Sequence, residues 1–479
     1  MRSRRHRHKS SRSALLAGGM GNLAQIRAHP TRFAVLGGLG LALALMVSTT
    51  SLPYALAPSF PDLALSLNPN NPVALLAKAE KARDQLLKLS GATEQAAPKE
   101  NASGPVRADT IAHLPAASSE GELEPQDERE ALRREIRRLA VRTIANEPLN
   151  AKAFRLLAEV THSPEQVRVL MQEAIRRSRR ESVALFWLLH DSIYHKDYKA
   201  GLSYSDALLR TRPELSAYVF GYLTRMAEDR DGNALLIQDL AKGPAWRRSF
   251  FEALPRNTQQ TEIPLKLMIA LKESGKPVAD KELAPYLNAL IARNLVDNAY
   301  NVWLQFLPKA ELDSLGLISH PDFEHDPTGL PFDWKIAQGV NAIAEFVPNG
   351  ERERALHITF GYGRVQFPEA SQVVLLPPGK YRIEGKVRGK ITAKRGLRWQ
   401  VRCASGPKRV LGETDMLMGH SPQWRVFALE AEVPLIEECR GQTLRLFHDS
   451  RSASEELISG EAWFAGLRLE RLREATASQ

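Results

Sequence analysis

Residues 33–57 (FAVLGGLGLALALMVSTTSLPYALA) carry no charged side chain, and the next carboxylate downstream is Asp62. An apolar run of about 20 residues is what a helix needs to cross ~30 Å of hydrocarbon, so the pattern predicts one transmembrane helix at residues 33–57. No later run approaches that length. From residue 72 the apolar positions take helical spacing. Residues 73–89 read as one helix, and Leu132, Ile136, Leu139 and Ile144 recur along a face otherwise rich in Arg and Glu. Amphipathic segments continue over 234–240, 247–254, 263–271, 281–293 and 299–307, broken at Gly243-Pro244 and Gly275-Lys276-Pro277. Between them, residues 91–126 are mostly Ala, Ser, Pro, Gly and Glu, too poor in large apolar side chains to offset ordering entropy. That stretch is predicted to be a disordered insert.

After residue 316 the period changes from helical to two. Strands are predicted at 332–336, 355–360, 372–376, 379–388, 397–403, 423–433, 443–448 and 461–470, separated by Pro- and Gly-bearing turns. Short strands in that number predict an antiparallel sandwich of jelly-roll kind. The expected organisation is a basic tail (1–32), a transmembrane helix (33–57), an α-helical region (58–316) with its insert, a β-sandwich (317–472) and a short tail (473–479).

Charge refines the picture. The chain has 479 residues, 65 Lys and Arg, 55 Asp and Glu, and a net charge of +10. Eight of the basic residues (Arg2, Arg4, Arg5, Arg7, Lys9, Arg12, Arg27 and Arg32) precede Asp62, where no acid occurs; the rest of the chain holds 57 basic against 55 acidic. The excess belongs to the tail, which argues against a nucleic-acid partner. A basic tail beside an apolar helix fits the positive-inside rule. The expectation is an inner-membrane, single-pass protein with a cytoplasmic N-terminus and its bulk in the periplasm. Ala55-Leu56-Ala57 also reads as a signal-peptide cleavage site; Pro58 directly after it and the long charged region favour a retained anchor. Cys403 and Cys439 are the two cysteines. In an exported domain they read as a disulfide, with two unpaired thiols as the alternative.

The words Asn68-Pro69-Asn70-Asn71-Pro72-Val73, Asn146-Glu147-Pro148-Leu149-Asn150-Ala151, Arg180-Glu181-Ser182-Val183 and Arg212-Pro213-Glu214-Leu215-Ser216 are helix-end, turn, helix-start words. Two successive intervals between them, Ala153 to Ala184 and Ala184 to Ala217, are near the ~34-residue tetratricopeptide period. Residues 60–230 therefore resemble degenerate tetratricopeptide repeats, without the Trp-Leu-Gly and Tyr positions of the full signature; a generic helical bundle is the alternative. The resemblance implies an α-solenoid that binds protein partners. The words QVVLLPPGKYRIEGKV (372–387), QWRVF (423–427) and GEAWFAGLRL (460–469) resemble carbohydrate-binding-module sandwiches, which implies a polysaccharide ligand.

Candidate chemistry is sparse. His190-Asp191-Ser192 and His448-Asp449-Ser450 hold the letters of a triad, but adjacent residues point in different directions and cannot form a relay. No HExxH, GxSxG or Walker loop occurs, so neither a catalytic residue nor a cofactor is assigned. Asp322, Glu324 and Asp326 form an acidic run read as a solvated junction loop rather than a Ca²⁺ site. Alternation places Trp399 and Trp463 on apolar faces, hence buried, and leaves Trp424 and Trp334 as the aromatics expected to be partly exposed. Arg382, Lys386, Arg388, Arg398, Arg402 and Arg445 fall on the polar faces of three strands. Were those strands neighbours, they and Trp424 would form a cationic surface for acidic polysaccharide, Arg forks meeting carboxylates. The expectation is a non-enzymatic membrane-anchored adaptor of exopolysaccharide assembly or export. The alternatives are a carbohydrate-active enzyme with an unrecognised site and a purely structural envelope protein.

Overall fold

Short polar residues cap three of the helices. Asn71 Oδ1 accepts the N–H of Ala74 at 3.0 Å, Asn150 Oδ1 that of Ala153 at 3.1 Å, and Asp197 Oδ1 that of Ala200 at 3.1 Å. Each satisfies one of the orphan donors of a first helical turn, so the helices start where these residues stand. The computed structural model describes residues 30–89, 124–337, 339–350, 353–367 and 369–472. The expected cytoplasmic tail lies outside them except for residues 30–32, as does the tail at 473–479. Most of the expected insert lies outside them too, but its last three residues, from Glu124, are the first turn of a helix.

The chain divides into two compact units, Met1–Asp191 and Ser192–Gln479. The first begins with α1 (Pro30–Leu56), whose segment Gly37–Leu56 is long and apolar enough to cross a membrane. Its large apolar side chains, Leu39, Leu41, Leu43 and Met46 among them, project outward and stay exposed. The hydroxyls of Ser48, Thr49 and Thr50 donate to the carbonyls four residues earlier at 2.7–2.8 Å. A polar side chain satisfied inside its own helix is compatible with an apolar surround. Then come α2 (Pro61–Leu67), α3 (Pro72–Leu89), α4 (Glu124–Asn146), α5 (Ala151–Glu159), α6 (Pro164–Arg177) and α7 (Ser182–Tyr194). The helix α3 packs on α4 and α4 on α5, burying Leu75, Ala79, Ile136, Leu139 and Leu156. Small Ala residues at the contact let the backbones approach.

The second unit holds α8 (Tyr198–Thr211), α9 (Ser216–Glu228), α10 (Arg230–Ala241), α11 (Arg247–Asn257), α12 (Ile263–Glu273), α13 (Asp280–Ala292), α14 (Val296–Phe306) and α15 (Lys309–Leu312), followed by ten strands. Helices here pack on neighbours close in sequence, as α9 does on α10 and α11, and α13 on α11 and α14.

The strands form two antiparallel five-stranded sheets. The first has the order β1-β4-β9-β6-β7 and the second β2-β3-β10-β5-β8. Their ranges are β1 Lys335–Ile336, β2 Ala342–Pro348, β3 Arg354–Phe360, β4 Ala370–Val374, β5 Gly379–Ala393, β6 Leu397–Cys403, β7 Val410–Glu413, β8 Gly419–Val433, β9 Gln442–His448 and β10 Ile458–Arg471. The inner faces enclose one core that includes Trp334, Phe346, Leu356, Val387, Trp399, Phe427, Leu446 and Phe464. Trp399 lies 6.0 Å from the ring of Phe427, almost parallel to it, and edge-on to Phe464 at 5.8 Å.

Two edge strands, β2 and β7, go beyond the sequence expectation. The strand β2 alternates weakly, with Ala, Glu and Pro between its apolar residues. In β7, Gly412 sits so close to β8 that a Cβ would lie 2.1 Å from the Glu430 carbonyl; a strand that needs a glycine looks like a turn. Cys403 and Cys439 form a disulfide, Cα–Cα 4.9 Å, joining the end of β6 to the turn before β9.

Candidate functional site

The expected cationic surface does not exist as one face. Arg398 and Arg402 on β6 and Arg445 on β9 belong to the first sheet, in adjacent strands. Arg382, Lys386 and Arg388 on β5 belong to the second. The sandwich therefore separates them onto opposite outer faces, which two-residue alternation within a strand cannot reveal.

On the first sheet the cations are neutralised within the fold. Glu369 meets Arg445 at 3.1 Å and Arg402 at 3.5 Å. Arg445 donates to Gln400 Oε1 at 2.7 and 3.0 Å. Arg398 reaches Asp449 at 2.9 Å, Glu413 at 3.2 Å and the Thr414 carbonyl at 2.7 Å. Burial, and then the like charge of Arg445, lower the Arg402 guanidinium from its ordinary value, with Glu369 opposing. Asp449, one letter of the second apparent triad, is taken up by Arg398 and Arg395, and His448 Nε2 pairs with the Arg395 carbonyl at 2.9 Å. Asp191, of the first, accepts two bonds from Arg168 at 2.7 and 3.0 Å.

The second sheet differs. Pairing register sets a row of side chains across its outer face: Glu345 on β2 opposite His357 on β3, His357 opposite Trp463 on β10, and Trp463 opposite Arg388 on β5. The next row runs Ile343, Thr359, Glu461, Lys390 and His420. His357 stacks on Trp463, centroids 4.0 Å apart and planes 21° apart, and its Nε2 pairs with Glu461 at 3.0 Å. The Arg388 guanidinium lies 5.1 Å from the Trp463 ring and 4.8 Å from the Trp424 ring, and donates to Asn349 Oδ1 at 3.0 Å. Two indoles thus grip one cation, held by cation–π attraction and an amide. The floor around it is open: Ile343 is 64 % and Val426 69 % exposed. Lys386 is exposed beside Val426 on this face. Arg382 is committed to Glu384 at 2.6 Å and Glu430 at 3.4 Å.

Three aromatic expectations need comment. Trp424 is half-buried on the outer face, as alternation from Phe427 indicates. Trp334 is fully buried, contrary to expectation; its indole N–H donates to the His320 carbonyl at 2.9 Å and its ring meets Trp399 at 6.0 Å. The turn-rich sequence around it carries the ring into the core between the two sheets, where it meets Phe346 of one and Trp399 of the other. Trp463 is also placed contrary to expectation, outward and half-buried. The inward phase of Leu467 does not carry back to it, because the β10–β5 register shifts between Ala465 and Arg468, around Gly466 at φ 61°. A bulge inserts a residue and reverses which face each side chain takes. His357, Glu461 and Asn349 are members of this platform that sequence reasoning missed; Gly466 inside an apolar strand was the available signal.

The three carboxylates of the acidic run, Asp322, Glu324 and Asp326, are exposed, as a solvated loop requires. Asp326 accepts from Arg354 at 2.6 Å, and Phe323 of the same run is buried among Trp334 and Phe346. Among the described residues no group of three or more His, Cys, Asp or Glu is placed to hold a metal.

No protein-family model matches the chain, and no curated protein matches it. Solved structures similar to it cover about a third of its length. One is a putative sugar binding protein from Bacteroides thetaiotaomicron (8 % identity, 33 % of this chain, 100 % of that chain, TM-score 0.26). Another is a CBM4 structure (13 %, 32 % and 99 %, TM-score 0.25). A third is TmCBM61 in complex with beta-1,4-galactotriose (15 %, 33 % and 99 %, TM-score 0.23).

Proposed function

We propose that this protein is a non-enzymatic, membrane-anchored adaptor whose β-sandwich binds acidic polysaccharide on the outer face of its second sheet. The observation that carries the reading is the Trp424–Arg388–Trp463 platform. The half-buried Trp424 indole offers apolar area to the C–H face of a sugar ring, and the Arg388 guanidinium, held between it and Trp463, offers a planar fork to a uronate carboxylate. His357, Glu461 and Asn349 border it with hydrogen-bonding groups for hydroxyls. The helix α1 anchors the chain in the inner membrane with residues 1–32 cytoplasmic, and the bulk lies in the periplasm. The helical hairpins, tetratricopeptide-like in their words and spacing, form a solenoid that binds partner proteins, which fits a role in exopolysaccharide assembly or export.

The test uses the full chain in lipid nanodiscs. Polygalacturonate and alginate are compared with neutral xylan and β-1,3-glucan, at low and at physiological salt. The expected result is retention of the acidic polymers, weakened by salt. Equal or no retention of acidic and neutral polymers at both salts contradicts the reading.

A further inference from the structure

The chain leaves α1 by a tight turn, with the Phe60 N–H bonded to the Leu56 carbonyl at 2.8 Å, and enters α2 at once. One side of α2 is pinned: Ala64 is buried with Ala57 and Ala74, and Pro61 is buried beside it. The other side exposes Phe60 (60 %), Leu63 (52 %) and Leu67 (51 %). Leu63 and Leu67 are four residues apart and Phe60 precedes Leu63 by three, so the three form one stripe. Asp62 and Ser66 mark the polar edge, where Asp62 pairs with Lys78 at 2.7 Å. Tyr54, in the last turn of α1, is half-exposed just before the turn.

Three large apolar side chains on a two-turn helix and its N-cap residue are more than scattered exposure explains. Their position says what covers them. The stripe begins within one turn of the end of an apolar helix whose own surface is bare, and an interfacial aromatic, Tyr54, precedes it. We infer that Phe60, Leu63 and Leu67 are seated in the headgroup–acyl boundary of the bilayer that α1 crosses, making α2 a second membrane contact. Because Ala57, Ala64 and Ala74 lock α2 to the ends of α1 and α3, this contact fixes how the first unit stands on the membrane. A stripe this short binds lipid weakly by itself, which suffices for a segment already tethered. The inference rests on the reading of α1 as a membrane span.

The experiment labels the full chain at single introduced cysteines with a nitroxide; the native pair is bonded and does not compete. Leu43→Cys, Leu63→Cys, Leu67→Cys and Ser66→Cys are reconstituted in vesicles of phosphatidylcholine and phosphatidylglycerol. Collision with oxygen, which partitions into lipid, is compared with collision with a water-soluble nickel chelate. The expected result is that positions 63 and 67 favour oxygen severalfold over the nickel chelate, though less than position 43, while position 66 favours nickel. If 63 and 67 behave like 66 while 43 reads as lipid, the interfacial contact is wrong and the span stands. If 43 also reads as water, both fall.

Discussion

On the first sheet of the sandwich, Arg398, Arg402 and Arg445 each meet a carboxylate of their own fold. On the second, Arg388 lies between two indoles and is held by the amide of Asn349. Both faces are polar and both carry Arg side chains. A guanidinium already paired with Glu369 or Asp449 can meet a second anion only by giving up the first. One held by aromatic rings keeps its charge and part of its fork for an incoming carboxylate. The difference lies in the neighbours that strand pairing supplies, and it is why we propose a structural role for one face and recognition for the other.

The largest effect expected from testing that contrast is on the first sheet. Cys403→Ala with Cys439→Ala releases the link between β6 and the turn before β9 and should lower unfolding free energy by about 3–4 kcal/mol, read by urea titration. Polysaccharide retention under folded conditions should be unchanged. Next, Glu369→Gln leaves Arg402 and Arg445 without their shared carboxylate and should cost about 1–3 kcal/mol. Unaltered stability would mean that these cations are not neutralised by the fold, and the contrast between the faces would collapse. On the second sheet, Arg388→Gln should weaken acidic polymers roughly tenfold, about 1.4 kcal/mol, and flatten their salt dependence. The smallest change is expected at Arg382, committed to Glu384 and Glu430. Arg382→Gln should leave both stability and retention nearly untouched.

The sandwich and the helices were legible in the sequence because their signals are local. Period-two alternation in 379–388 and 443–448 reports a half-buried strand, and the turn words that contain Asn71 and Asn150 report helix starts. Which strands become neighbours is not local. Arg388 and Arg398 are ten residues apart in the chain and end on opposite outer faces, because β5 and β6 belong to different sheets. Trp463 was misplaced for a different reason: one residue inserted at the bulge around Gly466 inverts the phase of alternation. Trp334 shows a third limit, since a Trp in turn-rich sequence carries no periodicity to reveal that it is buried. The platform was therefore half visible, in Trp424 and Arg388; its other half needed the register of β10 against β3 and β5.

Isothermal titration of the full chain in nanodiscs with an oligogalacturonate, alongside Trp463→Ala and Arg445→Gln, tests the central claim most directly. The account predicts that Trp463→Ala weakens binding at least tenfold, about 1.4 kcal/mol, while Arg445→Gln binds as the unaltered chain does. Equal binding by Trp463→Ala and the unaltered chain, or loss confined to Arg445→Gln, would contradict it.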